Sequence, residues 1–221
     1  MTSILKVDNI KDSANNQAIS ISSGNLTIPG STTFTGAVTG SGTRQLLRAV
    51  TITSNTTAVE FIHGSNGVVL DSTYSRHEIT IDSAVTTSTG QQLNLYCSSN
   101  GGSSYFGDSA YNSTYHRHYS NGSATGNDSA YVNDFALNHD QGTSTDAARG
   151  GITGSIIVDN LGAAHRTVFN GQFFGFGSNS YYIHTNSIGA YESNTAIINA
   201  LKIKFRSGDI SSGIFKLYGV R

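Results

Sequence analysis

The sequence predicts an all-β protein: an antiparallel, jelly-roll-like β-sandwich carrying a short β-rich N-terminal stem or arm. Three observations predict it. Strand-length apolar runs with alternating faces recur along the chain, and none has a helical period. Clusters of Gly, Asn and Ser separate these runs at short intervals, the pattern of hairpin-linked strands. The 221 residues include 25 Gly, yet also 11 Tyr and 10 Phe, too rich an aromatic supply for a disordered chain.

The first 45 residues differ in texture from the rest. ILKVDNI (4–10), AISI (18–21), NLTI (25–28) and TFTGAV (33–38) are short strand-like pieces, and Pro29, the only proline, falls in a turn between two of them. Pairs such as Ile19/Ile21 and Leu26/Ile28 give single apolar edges. The segment holds too little side-chain volume for a core of its own. It is therefore expected to need a partner surface, either copies of itself in a multi-chain stem or a larger assembly.

Residues 46–221 carry the sandwich. The expected strands are LLRAVTIT (46–53), VVLDS (68–72), HEITIDSAV (77–85), QLNLYC (92–97), AYNSTYHRHYS (110–120) and AYVNDFALN (130–138). They continue with ITGSIIVDN (152–160), RTVFNGQFFGF (166–176), SYYIHT (180–185), AIINALKIKF (196–205) and IFKLYGV (214–220). EFIHGSNG (60–67) is too short and too rich in turn formers for a helix. In 196–205, Leu201, Ile203 and Phe205 share one face, with Lys202 and Lys204 on the other. The last run, behind the turn signal Ser212-Gly213, is expected to close a sheet beside 196–205, with Phe215 and Leu217 toward the core. Cys97, the only cysteine, cannot form an internal disulfide; alternation sets it with Leu93 and Leu95 as a buried small hydrophobe.

Only 12% of residues are charged and the net charge is −1, so neither a basic footprint for nucleic acid nor an acidic tail is present. The N-terminus lacks the apolar core of a signal peptide and no stretch has the length of a membrane span. The expectation is synthesis in the cytoplasm with no membrane insertion.

Two candidate sites stand out. In YNSTYHRHYS, Tyr111, Ser113, Tyr115, Arg117 and Tyr119 share one face of a strand, and Asn112, Thr114, His116 and His118 the other. His116 and His118 form either a metal pair, which threefold repetition would gather around one transition-metal ion, or solvent-facing or interfacial side chains. The tyrosine face suits sugar contact or packing. The long turn-rich connections are 98–109, 120–129 and 138–151; Tyr105 and Phe106 are their large aromatics, placed either to stack on a receptor sugar or to tuck over the core. No GxSxG elbow, Walker lysine or paired carboxylates point to catalysis, and no cofactor is expected.

The opening ILKVDNIKDSANN with AISISSGNLTIPGSTTFTG, the stretch YHRHYSNGSATGNDSAYV and the ending FRSGDISSGIFKLYGVR resemble structural fibre and appendage proteins of tailed bacteriophages, especially phages of aquatic bacteria. The similarity is compositional at the start and more specific at Ser207–Arg221. It implies a virion protein, a homotrimer with a jelly-roll-like tip, attached to other virion proteins through residues 1–45. On that basis a tail fibre contacting a host surface glycan is expected, or alternatively a capsid decoration protein with a purely architectural role. The resemblance implies no enzyme activity.

Overall fold

The computed structural model describes residues 44–107, 109–138, 143–178, 180–191 and 195–221, without the side chains of 127–131. Expectations that fall on residues 1–43 lie outside the described residues. Strand follows strand: β1 (Arg44–Ile52), β2 (Val59–Ile62), β3 (Arg76–Thr86), β4 (Leu93–Ser98), β5 (Tyr111–Tyr119), β6 (Ala124–Val132), β7 (Phe135–Ala136), β8 (Ile152–Asp159), β9 (Val168–Phe176), β10 (Tyr182–Tyr191), β11 (Ala200–Phe205) and β12 (Ile210–Val220). One 3₁₀ turn, Ala147–Arg149, interrupts them. Among the described residues no helix is long and apolar enough to cross a membrane.

The strands form two antiparallel sheets, one ordered β1-β12-β3-β8-β9-β10-β5-β6 and the other β2-β11-β4-β7. The all-β sandwich predicted from alternation is what the chain adopts. Val59, Phe61, Leu93, Leu95, Cys97, Leu201, Ile203 and Phe205 of the small sheet and Ile79, Ile81, Ile156, Val158, Phe169, Phe215 and Leu217 of the large sheet form one buried cluster. Each set follows the period of two that puts alternate side chains on one face. Tyr111 spans the two layers: its hydroxyl accepts the Cys97 N–H at 2.7 Å. Burial pushes the Cys97 thiol far up, as fits an inert packing residue.

Several expectations are corrected. The last two strands are not neighbours: β11 lies between β2 and β4 in the small sheet, while β12 lies between β1 and β3 in the large one. The terminal strand is thus interior, hydrogen-bonded on both sides. Arg44 and Gln45 belong to β1 rather than to the leader, pairing with Val220 and Gly219. Residues 68–72 form no strand; Val68 bonds back to Ser65 and Gly64 in a turn, and the Leu70 N–H goes to His63 Nδ1 at 3.0 Å. Much of 120–129 is strand β6, paired with β5, although its composition reads as a loop.

Candidate functional site

The outer face of the large sheet carries an unusual set of side chains. Where β8, β9, β10 and β5 run side by side, their pairing sets Ser155, Gln172, Asn186 and His116 in one transverse row and Thr153, Phe174, His184 and His118 in the next. On β3, Thr80 extends the first row. Phe174 is half exposed, and its ring lies parallel to Tyr182 at 5.5 Å with an interplanar angle of 13°. Tyr182 meets the edge of Phe176 at 5.0 Å, and the Arg149 guanidinium sits 4.3 Å from the Phe176 centroid. Parallel and edge-on contacts of this kind are the favoured aromatic geometries. They fix three rings as a unit at one end of the sheet.

Beside Phe174 runs a trough of about 410 Å³, lined by Thr80, Asp82, Thr153, Ser155, Gln172, Phe174 and His184 among others. Its form follows from side-chain length. Threonine and serine on β3 and β8 are short, whereas Gln172 and Phe174 on β9 rise beside them. Asp82 on the far side bonds Lys216 Nζ at 2.8 Å. Sequence reasoning passed over these residues. The available signal was Phe173-Phe174: on an alternating strand, consecutive phenylalanines cannot both face the core, and Phe173 is the buried one.

Tyr105 and Phe106 do not stand out together as an exposed pair. Phe106 is half-buried against the core, its ring stacked on Tyr191 at 4.5 Å and its N–H bonded to the Cys97 carbonyl at 2.9 Å. Tyr105 lies over the outer side of the small sheet, where Lys202 Nζ is 3.8 Å from its ring centroid. Burial first, and the Glu60 carboxylate second, push its phenol up. His116 and His118 are both exposed on β5, and the His118 ring lies 6.4 Å from that of His184, its register partner. Among the described residues no group of three or more His, Cys, Asp or Glu side chains gathers to hold a metal ion. The opposite face of β5 points inward: Tyr115 and Arg117 are buried, with the guanidinium 4.9 Å from the Tyr115 ring.

A second hollow of about 500 Å³ borders the small sheet, lined by Ser109, Ser113, Asn133, Asp134 and Arg206 among others. Burial raises the Asp134 carboxyl, against the opposing pull of Arg206. Among the described residues, Asp134 is the carboxylate lining this hollow and Asp82 the one lining the trough. No protein family, curated protein or solved structure matches the chain.

Proposed function

We propose that this chain is a structural protein of a bacteriophage virion, a trimeric tail fibre or appendage whose sandwich engages the host surface without catalysis. The observation that carries the reading is strand order. Set aside the β5–β6 and β9–β10 hairpins, and β1-β12-β3-β8 faces β2-β11-β4-β7, with the chain crossing between sheets at every step except β4 to β7, which pair within the small sheet. We read this as an eight-stranded jelly roll, an architecture used by viral capsid and lectin domains, into which two hairpins are inserted to widen one sheet. Fold alone does not fix function. The resemblance at Ser207–Arg221 supports the phage assignment, since that stretch supplies the strand at the centre of the β1-β12-β3 trio.

A specific observation favours the second reading, a capsid decoration protein. Val168 and Ile188, diagonal neighbours on β9 and β10, are exposed on the outer face of the large sheet, as is Leu46 at its β1 edge, and adjacent apolar side chains of this kind suit burial against a neighbouring protein. One experiment separates the two. Fluorescently labelled full-length protein is applied to host cells, and antibody-labelled particles are imaged to locate the chain. Saturable cell binding with label on the tail supports the fibre. Label confined to the head with no cell binding supports decoration, and absence of label from the particle overturns both.

A further inference from the structure

The trough on the large sheet stands where the inserted β9–β10 hairpin meets the β3 and β8 strands. Its walls lie two strand spacings apart, roughly 10 Å at about 4.8 Å per spacing, with β8 as the floor. Its volume of about 410 Å³ falls in the range of small-ligand sites, about 300–1,000 Å³.

Backbone geometry at the far wall is special. Ile81 pairs with Gly154 and Ala84 with Ile152, so Asp82 and Ser83 together oppose Thr153. Such a bulge bends its strand and re-aims a side chain, and bulges cluster beside binding sites. Ser83 holds a φ of 52°, a left-handed conformation that costs a non-glycine residue energy and persists only where its surroundings enforce it. Thr153 Oγ1 enforces it here, accepting the Ser83 N–H at 3.0 Å. The strain is placed next to Asp82, the carboxylate among the trough's described lining residues.

The chemistry of the walls differs from side to side. Phe174 presents an apolar ring. Thr80, Ser155, Gln172 and His184 offer donors and acceptors, and Asp82 keeps Oδ1 as a further acceptor while Lys216 engages Oδ2. Because Lys216 balances Asp82, the lining favours an uncharged ligand with one apolar face and a rim of hydroxyls. We propose that the trough is a subsite for a neutral pyranose ring, stacked on Phe174 with its hydroxyls bonded by Asp82, Thr80, Ser155 and Gln172. This inference rests on the reading of the chain as a host-attachment protein and names the ligand class for it.

The test uses full-length protein and saturation-transfer NMR with methyl β-galactopyranoside, methyl β-glucopyranoside and N-acetylglucosamine at millimolar concentration. At least one should receive saturation at its ring C–H protons. Phe174→Ala should weaken that sugar's binding roughly tenfold, the worth of one aromatic stacking contact. Ser155→Trp, which fills the floor, should abolish it. Both side chains lie outside the core, so the melting temperature of each variant should stay near wild type. No saturation of any of the three sugars, or unchanged affinity in both variants, overturns the subsite. A change of molecular mass in light scattering for Phe174→Ala with sugar binding intact also overturns it, because the face is then a contact between copies. Host-cell binding that survives both substitutions overturns the subsite and leaves the attachment reading standing. Sugar binding without host-cell binding does the reverse.

Discussion

Phe215 sits opposite Val50 on one neighbouring strand and Ile81 on the other, with no exposed surface. A side chain hemmed in by two strands and the facing sheet leaves a cavity that cannot collapse, so Phe215→Ala should cost about 3–5 kcal/mol. For a domain of this size that lowers the melting temperature by about 10 °C, and a shift no larger than that of Lys216→Ala on the opposite face would contradict the inward placement. His77 makes a different prediction. It is 1% exposed, and burial holds its imidazole below the usual histidine range against the weaker opposing pull of the Val69 carbonyl, 2.8 Å from its Nε2, and then of Asp71 and Asp159. The folded protein therefore keeps His77 neutral, while the unfolded chain takes up a proton near pH 6.5. Its contribution is complete above about pH 6.5 and is lost as pH falls through the lower folded value. Urea midpoints measured downward from neutral pH should decline, with a shallower slope in His77→Gln. Equal slopes would show that His77 is not the group responsible. Phe106 marks the limit of residue-level reading. An aromatic in a Gly/Ser loop is visible in sequence, but the Cys97 carbonyl that draws its backbone inward lies on another element.

At the scale of the element, alternation was legible and context was not. The faces of β4, β5, β11 and β12 follow directly from residue type, and Cys97, Phe215 and Leu217 lie where period-two reasoning puts them. Strand β6 was hidden because Ala124–Val132 is built of small and polar residues; its strand conformation comes from pairing with β5 rather than from propensity. β2 was hidden by brevity, four residues beside a turn. Conversely, 68–72 has the β-branched composition of a strand, yet Val68 is held in a local turn. The glycines of the β9–β10 hairpin carry their own element-level prediction. A Cβ on Gly189 would lie 2.1 Å from the Asn112 carbonyl oxygen and 2.7 Å from the Phe135 ring. Neither a paired backbone nor a fully buried ring can retreat far, so Gly189→Ala should destabilise the protein by about 1–3 kcal/mol, and amide exchange should quicken first along the β10–β5 pairing. Uniform exchange with an unchanged melt would mean that the two strands part easily.

At the scale of the whole molecule, sheet membership was the part sequence could not supply. β11 and β12 carry equally good alternating patterns, and local pattern says which face is apolar but not which strand lies alongside. The distinction is made by long-range pairing, β12 with β1 at the start of the described chain and with β3 some 130 residues before it in sequence, contacts whose only record in sequence is apolar complementarity. The same pairing sharpens the prediction about the leader. Gly42–Arg221 is one compact unit, and β1 is the edge strand of the large sheet among the described residues; the proposed reading predicts that residues upstream of it are dispensable for folding and hold copies together. Removing residues 1–43 should leave the melting temperature of the sandwich near that of the full chain while light scattering falls from the trimer mass to the monomer. Removing residues 1–45 should cost a further increment, because Arg44 would go with them. Its guanidinium lies 3.5 Å from the Tyr218 ring centroid and its Nε 2.7 Å from a Glu78 oxygen, contacts at the surface worth about 1 kcal/mol together, and the loss of Arg44 and Gln45 also shortens the β1–β12 ladder. If the shorter truncation already unfolds the domain, the upstream residues are part of the sandwich's own core. If it folds and keeps the mass of the full-length assembly, the copies are joined through the sandwich instead, and the apolar Leu46, Val168 and Ile188 on the large sheet become the surface to mutate.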